Sequence, residues 1–232
     1  MALNKNCIIN VGIGGWYPSG TQRLRDTTIE YLTNIDILTW SDILPEGARS
    51  HKESNYGFKT YAFREAFAKG YENVLWCDSS IYAIKDIHPI FEKLNKDGYY
   101  FIDNGFSLAE TATDKLLNFE SMSRLEANSI PELTTCVFGI TEKVLNVYLQ
   151  WLIYEQNDLF NGSRTHDPKD SSHPMFKFCR HDQSALSLAA YKFKVKPNGK
   201  YGEFVSYEHK GNGAIGEYEA VNESVCLLNC GM

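Results

Sequence analysis

No apolar run in the 232-residue sequence approaches the roughly 18–20 residues that a helix needs to cross a bilayer, which argues against a transmembrane segment. Basic residues are not in excess: 23 Lys and Arg stand against 29 Asp and Glu, a formal net charge of −6, the opposite of the balance a nucleic-acid binder shows. The six cysteines form no CxxC pair, and Cys7, Cys77 and Cys136 lie in strand-like apolar runs where free buried thiols are common. Met1–Asn6 is polar and Cys7–Gly15 reads as a strand with its following loop, not as a signal peptide. Together these features predict a reduced, soluble protein of a host or bacterial cytoplasm, with the sequons at Asn161 and Asn222 incidental. No linker or internal repeat divides the chain.

What is present fits a folded α/β chain. Hydrophobic residues at 43% and charged residues at 22% are near globular averages, which excludes wholesale disorder. Aromatic residues reach 13%, enough for a well-filled core and for a site that stacks rings on a base or a sugar. Strand-like and helix-like segments alternate: Cys7–Val11 as strand, Thr21–Thr33 as helix through Leu24, Thr28 and Leu32, Ile35–Trp40 as strand. Phe58–Lys69 has helical spacing and Gly70 behind it as a cap. Asn73–Cys77 is a continuous apolar run of the kind buried on both faces, and Tyr99–Ile102 repeats that plan. Thr135–Ile140 is a further strand, Glu142–Tyr154 a helix, and Asn157–Arg180 a long polar loop. A helix over Gln183–Tyr191 follows, then strands near Lys194 and Glu203 and a glycine-containing tail after Lys210. The alternation predicts one α/β domain over 1–232 with a mostly parallel sheet, whose ligands bind outside the carboxyl ends of the strands.

Two aspartates stand where such runs end, Asp78 in Asp78-Ser79-Ser80 and Asp103 in Asp103-Asn104-Gly105. A carboxylate leaving a buried strand is placed to hold Mg²⁺ or Mn²⁺ against a diphosphate, with Ser80 adding a hydroxyl; the plain alternative is a turn-capping residue. Gly12-Ile13-Gly14-Gly15 fails the GxGxxG pattern because Tyr17 takes the third glycine's place. The turn still brings backbone amides of Gly14 and Gly15 toward a ligand, with Trp16 and Tyr17 offering ring faces. Asp182 precedes a helix and suits an N-cap, and it equally suits a general base. Lys59, in a first helical turn, opposes the helix dipole, a placement that a nearby anion would explain.

The series Asn55-Tyr56-Gly57-Phe58-Lys59, Gly70-Tyr71, Val74–Tyr82, Lys85-Asp86-Ile87 and Arg180-His181-Asp182-Gln183-Ser184 resembles small nucleotide-sugar-dependent glycosyltransferases of the GT-A fold. Bacterial and large-DNA-virus (chlorovirus-like) enzymes are among them, and the resemblance runs from about Val11 to about His209. It implies a Rossmann-like domain, its central sheet flanked by helices, that moves a sugar from a nucleotide diphosphate, by default UDP, to a hydroxyl of a glycan or glycoprotein acceptor. It implies Mn²⁺ or Mg²⁺ held by Asp78, Ser80 and His209, although Ser80 replaces the second aspartate of the usual Asp-x-Asp motif. Donor contacts then fall to Gly14, Gly15, Tyr17, Lys59, Asp78, Ser79, Ser80, Arg180 and Lys210. Asp182 would be the base of an inverting transfer, with Asp103 second in line or holding the donor sugar. The loop over 157–180 would shape the acceptor side and Gly211–Gly216 would close over bound donor. The rivals are a nucleotide- or glycan-binding module without catalysis, which Ser80 favours, and a sugar nucleotidyltransferase, which lacks here a glycine-rich basic loop for a triphosphate.

Overall fold

The computed structural model describes residues 5–31, 33–207 and 223–230. Its elements run β1 (Asn6–Val11), α1 (Tyr17–Thr28), β2 (Ile35–Trp40), α2 (Phe58–Ala68), β3 (Asn73–Cys77), β4 (Ile81–Ala83) and α3 (His88–Asp97). There follow β5 (Tyr99–Tyr100), β6 (Asp103–Ser107), three short helices α4 (Leu108–Thr111), α5 (Asp114–Phe119) and α6 (Arg124–Ala127), β7 (Pro131–Leu133) and β8 (Val137–Thr141). The chain continues through α7 (Leu145–Gln156), α8 (Asp182–Lys192), β9 (Val205–Tyr207) and β10 (Leu227–Asn229).

The central sheet has the order β2-β1-β3-β8-β5. Strand β1 pairs in parallel with β2 and β3, whereas β8 runs antiparallel to both β3 and β5. The sheet is therefore mixed, not mostly parallel as the alternation of elements suggested. Apolar runs report burial on two faces and carry no information on strand direction. Alternation along the strands splits the core in two. Cys7, Ile9, Val74, Trp76, Phe138 and Ile140 face α2, α7 and α8; Ile8, Leu75, Cys77 and Val137 face α1 and α3. Gly139 lets α3 approach, since a Cβ there would stand 2.3 Å from a Leu94 methyl. Strands β4, β10 and β9 form a second sheet, and β6 pairs with β7.

Several expected boundaries move. Helix α1 starts at Tyr17, with Pro18 in its first turn, and gives way after Thr28 to a 3-10 turn over Ile29–Tyr31; Leu32 lies outside the described residues. Only Tyr99–Tyr100 of the Tyr99–Ile102 run pairs as a strand, and Asp103 opens β6 instead of a loop. No strand forms at Lys194, and Glu142–Val144 is a 3-10 turn before α7. Cys7 and Cys77 are buried, but Cys136 is only partly so, because it precedes β8 and reaches the surface of a cleft. The tail from Gly211 to Gly216 and Asn222 lie outside the described residues.

Candidate active site

The parallel strands β1 and β3 end beside one another, and a cavity of about 640 Å³ opens there. Close packing sets its near edge. A Cβ on Gly12 would stand 2.0 Å from Thr21 Oγ1, and one on Gly20 2.3 Å from Ser79 O, so only glycine lets α1 meet the turn after β3. That turn is closed by Ile81 N donating to Asp78 O at 2.9 Å. It is pinned by Asn10 Nδ2, which donates to Cys77 O at 2.7 Å, and by Arg23 Nη2, which donates to Ser79 O at 3.2 Å.

The floor is one ion-pair cluster. Lys59, in the first turn of α2, is turned inward with its side chain 2% exposed, not solvated. Its Nζ stands 3.1 Å from Asp78 Oδ1 and 3.1 Å from Asp182 Oδ2, and donates to Thr135 O at 2.9 Å. Thr135 Oγ1 donates to Asp182 Oδ2 at 2.7 Å, and Trp76 Nε1 to Asp78 Oδ1 at 2.7 Å. Burial disfavours the charged ammonium, but the Asp182 and Asp78 charges outweigh it and raise the Lys59 pKa. For Asp78, burial in the cleft wins over the Lys59 and Trp76 contacts and raises its carboxyl. Burial, then the Asp78 charge, pushes the Cys136 thiol up to about 12, which favours the neutral thiol over the thiolate.

The far wall comes from residues 41–57 and the loop over 157–181. Glu155 on α7, fully buried, takes Arg49 Nη2 at 2.7 Å on Oε1 and Tyr61 Oη at 3.0 Å on Oε2, while Asn161 Oδ1 accepts from Asn55 N at 3.2 Å. These bonds hold His51 and Tyr56 in the wall, their rings edge to face at 4.6 Å. Arg164 lies 5.3 Å over the Tyr56 ring. Tyr56 and His181 both hold left-handed backbone, with φ of 60° and 52°, and non-glycine residues in that region concentrate at functional sites. His181, not Asp182, occupies the N-cap position of α8, and Asp182 is its first helical residue, anchored by Trp151 Nε1 donating to its carbonyl at 3.0 Å. Burial lowers the proton affinity of His181. Because its Nδ1 meets Phe160 O at 2.9 Å, Nδ1 carries the proton and Nε2 is the basic nitrogen.

Of the residues singled out in the sequence, Tyr17, Lys59, Asp78, Ser79, Ser80, Arg180 and Asp182 line this one cleft. Gly14 and Gly15 have φ of 76° and 54° in the turn before α1 but are not among the lining residues. Nor is Asp103, which is exposed and accepts from Gly105 N at 2.8 Å. His209 and Lys210 lie outside the described residues. Thr135, Trp76, Tyr56, His51, His181 and Arg164 were not assigned roles from sequence; Tyr56 and His181 stood inside the quoted motifs, and Thr135 borders a strand. Among the described residues no three His, Cys, Asp or Glu side chains gather as a metal cluster. Of the ligands expected for a divalent cation, Asp78 and Ser80 are described; Asp78 Oδ1 meets Lys59 and Trp76, and one carboxylate with a hydroxyl would hold such a cation only together with water and a donor's phosphates.

Neither a family model nor a curated protein matches the sequence. Among solved structures, the chain has the fold of a glycosyltransferase. One match is to a crystal structure of a glycosyltransferase involved in the glycosylation of the major capsid of PBCV-1, at a TM-score of 0.52 and 14% identity, covering 98% of this chain and 94% of that one. No helix among the described residues is long and apolar enough to cross a membrane.

Proposed function

We propose that the chain, acting as one domain, is a glycosyltransferase that moves a sugar from a nucleoside-diphosphate donor, UDP first, to a hydroxyl of a glycan or glycoprotein. The observation that carries this reading is that Asp78 and Asp182 meet across one buried ammonium at the carboxyl ends of the parallel strands. The fold shared with the PBCV-1 enzyme supports it. In this reading Trp16 and Tyr17, stacked on each other at 4.9 Å, take the base at the edge of the cleft. The diphosphate lies along the Asp78–Ser80 turn within reach of Arg180, and the acceptor enters past His51 and Tyr56. Asp182 Oδ2 is occupied by Lys59 and Thr135, so Oδ1 is the oxygen that takes the acceptor's proton. The acceptor oxygen then bonds to the anomeric carbon from the face opposite the diphosphate. The bond from that carbon to the phosphate oxygen breaks, its electron pair leaves with the diphosphate, and the configuration inverts. The basic Nε2 of His181 makes that residue a second candidate base. Asp78 and Ser80 would hold Mn²⁺ or Mg²⁺ together with the donor's phosphates, where the cation would offset the charge of the leaving diphosphate; titration with and without Mn²⁺ decides that expectation.

A panel of UDP-, GDP- and dTDP-sugars tests the reading, with nucleoside-diphosphate release as the readout. Release from one nucleotide class, lost in Asp182→Asn, supports transfer. Binding without release in any acceptor mixture supports the non-catalytic module, a reading favoured by the closed Lys59 ion pairs. Neither binding nor release across the panel overturns both.

A further inference from the structure

Among the described residues, the wall beside the ion-pair floor carries two polar atoms with no partner within hydrogen-bonding distance. Glu132, on β7, is 0% exposed, and its Oε1 is one of them, although the Thr111 hydroxyl lies near the carboxylate. Its Oε2 accepts from Asn104 Nδ2 at 2.8 Å and stands 3.8 Å from Arg180 Nε, beyond hydrogen-bonding distance. That Nε is itself buried and unpartnered. Unsatisfied buried groups are costly, and a shift of about 1 Å would bring Nε within hydrogen-bonding distance of Oε2. The other end of the same guanidinium reaches the cleft, where among the described residues Nη2 makes a long 3.4 Å contact to Gln183 Oε1 and the group lies 5.8 Å over the Phe178 ring. Arg180 is therefore held without a short hydrogen bond between a buried carboxylate and an open cavity.

We propose that Glu132 is a positioning residue for Arg180: its carboxylate draws the guanidinium into the wall, and on taking up a proton it releases Arg180 to the donor's diphosphate. This rests on the glycosyl-transfer reading above. The groups facing Glu132 are Asn104 from β6, Thr111 from α4, Arg180 and Cys179 from the loop, and Asp182 and Gln183 from α8. Burial dominates and pushes the Glu132 carboxyl up to about 7; Asn104, Arg180 and Thr111 favour its charge and Asp182 opposes it. The Cys179 thiol, pushed up to about 12 by burial, stays neutral, and the Asp182 charge is matched by Lys59. Glu132 therefore changes charge near neutrality. Below that point Arg180 is free for an anion; above it the carboxylate competes.

Calorimetric titration of the full chain with UDP-glucose and GDP-mannose tests the pair, because a diphosphate diester has no titrating group of its own near neutrality. In the wild type the affinity for the probe that binds should fall roughly tenfold between about pH 6 and pH 8. Repeats in buffers of different ionisation enthalpy should show fractional proton uptake near neutrality. E132Q should bind tightly across the range with no proton uptake, and R180Q weakly with no pH slope. A flat wild-type profile, or an unchanged slope in E132Q, overturns the proposal. If neither probe binds the wild type at any pH, the transfer reading loses its support, and the pair is tested by carboxyl ¹³C NMR. There the Glu132 titration, assigned by its loss in E132Q, must move up in R180Q; an unmoved midpoint overturns the proposal.

Discussion

Asp182 and Glu132 line up in adjoining parts of the same buried layer and are treated in opposite ways. Asp182 has a buried ammonium at 3.1 Å and a threonine hydroxyl at 2.7 Å on one oxygen. Glu132 has its nearest cation at 3.8 Å and an oxygen with no partner. The floor of the cleft is a fixed arrangement of charge, suited to holding reacting groups in place without reorganisation. The wall is an adjustable one, whose charge depends on pH and on what Arg180 touches. Rigidity at the proposed chemistry and slack at the proposed ligand contact are separate properties, and each can be removed without the other.

The largest effect is expected from breaking the floor. Lys59→Met leaves Asp78 and Asp182 without their shared counter-charge and should cost about 3–5 kcal/mol of unfolding free energy in urea denaturation. A loss under about 1 kcal/mol would mean that the floor is not held by this cluster. Asp182→Asn keeps the shape and should lower transfer about 10²–10⁴-fold while nucleotide affinity changes little. If His181→Gln gives the larger fall, the base is the imidazole. At the wall the sign reverses. Glu132 keeps its proton up to about pH 7 when folded, against an ordinary value of 4.5, so between these values the folded chain binds more protons. Its contribution to stability therefore falls as pH rises through that window. Glu132→Gln should gain about 2–3 kcal/mol relative to wild type between about pH 5 and pH 8, read from denaturation at each pH. An equal difference at both ends would show that Glu132 does not titrate there. The smallest effect concerns the cleft edge. Trp16, 40% exposed, contributes little to the core, so Trp16→Ala should leave stability within about 0.5 kcal/mol while weakening nucleotide binding about tenfold.

The floor was partly legible in the sequence and the wall was not, for physical reasons. Asn73–Cys77 announced a strand buried on both faces, and Asp78 at its end lines the cleft. The same pattern misled at Tyr99–Ile102. That run lies at the sheet edge, joins the central sheet through Tyr99 and Tyr100 while Ile102 makes an isolated bridge to Gly199, and passes Asp103 into β6, away from the cleft lining. Lys59, against the dipole of its helix, pointed to a nearby anion, but which one could not be read, because Asp182 lies 123 positions further along the chain and is brought to it only by tertiary packing. Strand direction was hidden for the same reason: Val137–Thr141 would read alike in a parallel or an antiparallel partner. Glu132, between a proline and a leucine in a three-residue strand, carries no periodic or motif signal at all. Its character comes from burial and from a missing partner, which exist only in the folded chain.

A donor site in this cleft is tested most directly by calorimetric titration of the full chain with UDP and GDP, with and without Mn²⁺, beside Asp78→Ala. One nucleotide should bind the wild type at one site per chain and bind Asp78→Ala more weakly. Absence of binding by both nucleotides, with metal and without it, would contradict a donor site in this cleft.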